Sequence, residues 1–139
     1  MSPRRRSPLT LEYILLGLLA DQPAHGYDLY KRVSLLEDVS MVWFVKQSKL
    51  YALLDKLEGD GLLSSTLVPG DTHPMRKEYQ ITAAGEKMFA AWRQSPVEHG
   101  RDMRQEFLAR LYFARLAGAA PSLELLQRQV DKCQGWLKE

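Results

Sequence analysis

The sequence predicts a mainly α fold with a small β-hairpin, and three observations predict it. Leu50, Leu53, Leu54 and Leu57 recur at i, i+3, i+4 and i+7, the apolar stripe of a helix packed on a core. Two short strand-like runs follow, Leu62–Val68 and Arg76–Ile81, joined by Pro69-Gly70-Asp71-Thr72-His73-Pro74, a loop signal. Thr82 then opens another amphipathic helix, with Met88, Phe89 and Trp92 on its apolar side. Helix, hairpin, helix in that order is the core of a winged helix-turn-helix. That scaffold lays one helix in the DNA major groove and the hairpin loop beside the backbone.

The elements follow in chain order. Thr10 is a candidate N-cap for a first helix over Leu11–Ala20, where Leu11, Ile14, Leu15, Leu18 and Leu19 keep helical spacing and Leu16 widens the apolar face. Pro23 ends it, and a second helix spans Tyr27–Leu36. Met41–Val45 is apolar, β-branched and aromatic, and is a candidate first strand for the sheet. The third helix spans Ser48–Glu58, and Gly59 and Gly61 permit the left-handed turn that stops it. In Arg76–Ile81, Tyr79 and Ile81 point to one face while Arg76, Glu78 and Gln80 point to the other. The fourth helix spans Ala83–Gln94, capped by Thr82, and Ser95-Pro96 breaks the chain. A fifth helix over Asp102–Leu116 aligns Met103, Phe107, Leu111 and Ala114. Pro121-Ser122 starts a last helix, where Leu123, Leu126, Val130, Cys133 and Leu137 alternate spacings of three and four, a short heptad seam suited to dimerisation. Residues 1–95 therefore read as a DNA-binding domain and residues 96–139 as a helical dimerisation region, with no stop signal before Glu139.

Composition bounds the function. With 139 residues and 45% hydrophobic side chains the chain can bury a core, and 26% charged residues suit an aqueous surface. Cys133 is the single cysteine, so no disulfide can form within the chain, in keeping with a cytoplasmic protein. No apolar run has transmembrane length, and Glu12 interrupts the one stretch that resembles a signal peptide, so no membrane partner is expected. His25, His73 and His99 are scattered, with no metal-ligand spacing, no nucleophile–base arrangement and no phosphate-binding glycine loop. The expectation is a protein without metal or cofactor, and not an enzyme.

Net charge is only +2, so the placement of charge matters more than its sum. Lys46 and Lys49 stand at the start of the third helix, and Asp55, Glu58 and Asp60 at its end. Arg76 and Lys77 follow the hairpin loop, and Arg4–Arg6 form a basic N-terminal arm. The candidate DNA contacts are Lys46, Gln47, Ser48, Lys49, Tyr51, Arg76 and Lys77. Ser48 and Lys49 can reach base edges or phosphates, Gln47 can pair with adenine, and the wing-base cations can neutralise phosphates. The plainer readings are a solvated helix face for Lys46–Lys49, a ring packed on the core for Tyr51, solvated strand charges for Arg76 and Lys77, and core packing for Trp43, Trp92 and Cys133. Two alternatives to DNA binding stand beside this one: a winged-helix protein-interaction module, and a small-molecule-binding protein.

Several stretches resemble the PadR family of bacterial transcriptional regulators. They are Leu15-Leu16-Gly17-Leu18-Leu19, Pro23-Ala24-His25-Gly26-Tyr27-Asp28-Leu29, Trp43, Leu50-Tyr51-Ala52 with Leu54, Leu57-Glu58-Gly59-Asp60-Gly61-Leu62, Arg76 through Gly85 (RKEYQITAAG), and Trp92. They cover about the first two thirds of the chain in order. The C-terminal part resembles the family's dimerisation region through Phe107–Phe113. The resemblance implies a homodimeric repressor on a pseudo-palindromic double-stranded DNA operator. It also implies an aromatic or cationic small-molecule effector, with Trp92 as the first candidate for a pocket wall. Ser48 and Lys49 stand where the family often has Gly followed by Ser or Thr, and Ala52 where it often has Pro. These departures fall on the DNA face, so the family's operator sequence is not carried over.

Overall fold

The computed structural model describes residues 8–36, 46–70 and 75–138. The elements are α1 (Pro8–Asp21), β1 (Ala24–His25), α2 (Gly26–Leu36), α3 (Gln47–Gly59), β2 (Leu63–Val68), β3 (Arg76–Ile81), α4 (Ala83–Arg93), α5 (Leu108–Ala117) and α6 (Ala119–Leu137). The chain divides into two compact units, Met1–Phe89 and Ala90–Glu139. Arg4–Arg6, Met41–Val45 with Trp43, and His73 lie outside the described residues.

In the first unit α1 packs on α2, α3 and β3. Its Leu11, Ile14, Leu15, Leu16 and Leu19 are all buried, so the helix is apolar on most sides. Thr10 lies within α1 and is fully buried rather than at its start, because the helix begins two residues earlier at Pro8, where proline's fixed φ suits a first turn. Glu12 is nearly buried, and Lys56 of α3 reaches it at 2.8 Å, which gives its carboxylate a partner among the buried leucines of α1. The α3 stripe behaves as its spacing predicts: Leu50, Leu54 and Leu57 are buried, and Leu53 is half-buried.

Gly61, at φ +79°, closes α3. Its N–H bonds to the Glu58 carbonyl at 3.0 Å, and the Leu62 N–H reaches the Leu57 carbonyl at 3.0 Å, the paired bonds of a Schellman stop. Thr82 then does two things. Its hydroxyl accepts from the Gly85 N–H at 3.1 Å, capping α4, and donates to the Gly61 carbonyl at 2.8 Å, tying α4 to the turn after α3. Gly85 must be glycine, since a Cβ there would overlap the Leu62 carbonyl oxygen and the Ile81 side chain.

The sheet is antiparallel, in the order β1-β3-β2. β2 and β3 pair from Leu63↔Ile81 through Val68↔Arg76, the hairpin that the turn signal implies. The third strand among the described residues is Ala24–His25, paired as Ala24↔Tyr79 and His25↔Glu78. Two residues have too little pattern to announce a strand; the free edge of β3 supplies their partners.

In the second unit the fifth helix enters through a tight turn at Gly100–Asp102 and a π-type turn at Met103–Phe107 before α5 proper. The expected face still packs inward: Val97, Phe107, Ala114 and Leu125 form the core, with Met103, Leu111 and Trp136 against it. α6 starts at Ala119, directly after Gly118 at φ +134°, earlier than Pro121 suggested. Its buried residues are Leu125 and Gln129. The Gln129 amide accepts from the Val97 N–H at 2.8 Å and donates to the Val97 carbonyl at 3.4 Å, pairing a buried loop residue as a strand would.

Candidate nucleic-acid interface

α3 offers solvent the face opposite its leucines. Lys46, Ser48 and Lys49 are exposed, and Gln47 is half-buried. No side chain caps the helix start, and its first turn contains no acid. The unpaired N–H groups and the positive end of the helix dipole therefore coincide with two lysines, an arrangement that attracts anions. The Gln47 amide donates to the Tyr51 hydroxyl at 3.0 Å, so these two candidate contacts form one polar unit. The Tyr51 ring lies against Gly26, where any Cβ would collide with it. Glycine at the start of α2 thus makes room for the tyrosine ring.

The wing base supplies the second group. Arg76 and Lys77 are both exposed. Register puts Lys77 opposite Leu67 and Tyr79 opposite Ser65. The Lys77 ammonium lies 3.8 Å from Glu58 near the end of α3, and the Ser65 hydroxyl donates to the same carboxylate at 2.5 Å. Tyr79 is buried, and burial, reinforced by Asp55 and Glu58, pushes its phenol up to about 12 from the usual 10.0. It stays a neutral donor, and it lies against Asp55.

Between these groups is an open cleft of about 530 Å³ lined by His25, Gly26, Tyr27, Tyr51, Asp55, Arg76, Lys77 and Tyr79. It brings together three of the residues singled out in the sequence, Tyr51, Arg76 and Lys77. Lys46, Gln47, Ser48 and Lys49 lie along α3 outside its lining. Sequence reasoning missed His25, Tyr27, Asp55 and Tyr79 as part of this surface. His25 reads as a turn residue until β1 is seen to pair with β3, and its ring nitrogen Nδ1 then lies 3.2 Å from the Lys77 carbonyl. The adjacent His-Gly-Tyr was the available signal.

In the second unit Trp92 is buried, with the Arg110 guanidinium 5.3 Å above its ring and Phe113 edge-on at 6.3 Å. Arg110 also donates to the Ser95 carbonyl at 2.7 Å. The heptad positions of α6 face solvent: Leu123 is 66% exposed, Leu126 39%, Val130 48% and Leu137 86%. Cys133 is half-buried with a free thiol. α6 thus buries one stripe in its own unit and leaves a second, apolar one uncovered.

The fold and this charged face define a winged helix-turn-helix protein. Residues 15–91 match the model of the transcriptional regulator PadR-like family. The chain belongs to that family, and so is a transcriptional regulator rather than an enzyme. A similar curated protein is the negative transcriptional regulator PadR of Bacillus subtilis (strain 168), 27% identical over 131 residues, which span 93% of this chain and 70% of that protein. Among solved structures, Bacillus subtilis PadR in complex with operator DNA is similar at 25% identity and TM-score 0.59, over 92% of this chain and 73% of that one. A PadR-like transcriptional regulator from Bacillus cereus is similar at 26% identity and TM-score 0.51, over 59% of this chain and 76% of its own. Among the described residues no helix is long and apolar enough to cross a membrane.

Proposed function

We propose that this regulator is a repressor that binds a pseudo-palindromic duplex operator as a homodimer in the cytoplasm. The observation that carries the reading is the concentration of exposed cations on one side of the first unit. Lys46 and Lys49 flank an uncapped helix start, and Arg76 and Lys77 stand at the wing base, while the leucines of the same helix are buried. The N-terminal half of α3 reads base edges through Ser48, Lys49 and the Gln47–Tyr51 pair, and the wing base positions the protein on phosphates. That a Bacillus subtilis relative has been seen on operator DNA supports the same use of this fold.

The uncovered α6 stripe supports the dimer, since exposed leucines at heptad spacing are buried by a second copy of the same helix. Two copies then present two recognition helices about one DNA turn apart, roughly 34–36 Å. An aromatic or cationic effector acts by favouring one dimer geometry over the other. Trp92 is the residue to test as its pocket wall; its ring already stacks with a cation, Arg110, which a cationic ligand would replace.

Selection of bound sequences from random duplex DNA tests DNA recognition and half-site spacing together. A steep loss of affinity with salt is expected, because each phosphate contact releases counter-ions. Affinity indifferent to salt would instead favour a protein-docking module.

A further inference from the structure

We propose that His25 is a proton-gated contact to a DNA backbone phosphate seated in the cleft between β1, the start of α2, α3 and β3. The inference rests on the DNA-binding reading above and names a contact outside it. Its geometry begins with the 3.2 Å approach of His25 Nδ1 to the Lys77 carbonyl oxygen. A carbonyl oxygen can only accept, so Nδ1 carries a hydrogen. In the neutral ring Nε2 then bears a lone pair, which repels a phosphate oxygen. Protonation adds a hydrogen at Nε2 and leaves the bond to Lys77 intact. The ring changes from acceptor to charged donor without turning, held throughout by a main-chain atom of the wing strand.

The surroundings suit this exchange. Arg76 and Lys77 line the same cleft and draw a phosphate in, although they oppose a third positive charge while the cleft is empty. The acids nearby are Asp55, which lines the cleft from α3, and Glu78, paired across the strands with His25. Tyr27, Tyr51 and Tyr79 complete the lining from α2, α3 and β3, and Asp28 follows in the first turn of α2. A phosphate adds the negative charge that makes protonation of His25 favourable in the complex, so DNA binding takes up a proton. The contact is complete where the ring carries both hydrogens and is lost where Nε2 is bare. A charge-assisted hydrogen bond of this kind corresponds to about tenfold in affinity per protomer.

The test uses the full chain and two labelled probes, a mixed-sequence duplex and the duplex recovered by selection, in binding titrations from about pH 5 to 8 at fixed salt. Wild type, His73→Gln and His99→Gln should each lose about tenfold or more from the acid to the alkaline end on both probes. His25→Gln should bind weakly and with a flat profile. Parallel profiles for wild type and His25→Gln, with salt-dependent binding retained, overturn the histidine proposal alone. Absence of salt-dependent duplex binding at every pH overturns the DNA reading with it. If His25→Gln fails to fold, wild-type calorimetry in buffers of different ionisation enthalpy decides: net proton uptake near neutral pH supports the proposal, and none overturns it.

Discussion

Replacing Gln129 by leucine puts an apolar side chain of similar size into a nearly dry site, and on burial alone it should stabilise the protein. The structure argues the reverse. Gln129 is 3% exposed, and Val97, its partner, is fully buried. The Gln129 amide is the hydrogen-bond partner of both the Val97 N–H, at 2.8 Å, and the Val97 carbonyl, at 3.4 Å. Leucine removes both bonds and brings no water with it. An orphaned buried N–H costs about 1–3 kcal/mol, and the long bond to the carbonyl adds little. The gain from burying leucine offsets part of this, since a methylene is worth about 0.8 kcal/mol. The net expectation is a destabilisation of about 1–2 kcal/mol, or roughly 0.5–1 M in urea midpoint at an m-value of about 2 kcal/mol/M. Circular dichroism during urea unfolding, at one fixed protein concentration, measures it, with the exposed Gln127→Leu as control. A Gln129→Leu protein as stable as wild type would refute the view that this side chain serves as a main-chain partner.

Lys49→Ala should weaken operator binding and alter base preference, whereas Arg76→Ala should weaken binding to every duplex and lower the slope of log affinity against log salt by about 1 per protomer, measured by gel-shift salt titration. Leu126→Glu with Val130→Glu should shift the protein toward monomer in sedimentation with little change in helix content, because both side chains are exposed in the single chain. Deleting all of α6 is the poorer test, since it would also remove Leu125 and Gln129 from the core of their own unit. Tyr79 should ionise near 12, followed by tyrosinate absorbance. Its neutral form is favoured on folding, so that part of the stability is whole below the ordinary phenol range near 10 and fades as pH climbs toward 12.

Where a pattern repeats over several turns, the residues told their own story. The α3 stripe, the β2–β3 hairpin and the Thr82 cap all fall where spacing put them, because each is decided by neighbours in the chain. Ala24–His25 was not legible, since a two-residue strand is defined by its distant partner in β3. The cleft was half legible for the same reason: Tyr51, Arg76 and Lys77 stand out as DNA-facing types, but His25 joins them only through that pairing. In α6 the apolar repeat drew attention to Leu123, Leu126 and Val130, while the stripe that packs at home runs through Leu125 and a polar residue, Gln129. A glutamine whose partners lie 32 residues back leaves no periodic trace.

The Lys77–Glu58 contact has a further bearing on how the wing would grip DNA. Lys77 stands beside an anion of its own, a carboxylate that Ser65 holds in place, while Arg76 makes no ion pair among the described residues. A phosphate that takes Lys77 displaces Glu58 rather than filling an empty place, and the freed carboxylate must gather a cation from solution. Part of the ion release that drives binding is thereby returned. On the proposed DNA-binding reading, of two neighbouring cations on one strand one would work as a capture site and the other as an exchanger, so the wing would hold DNA with less dependence on salt than its charge alone implies.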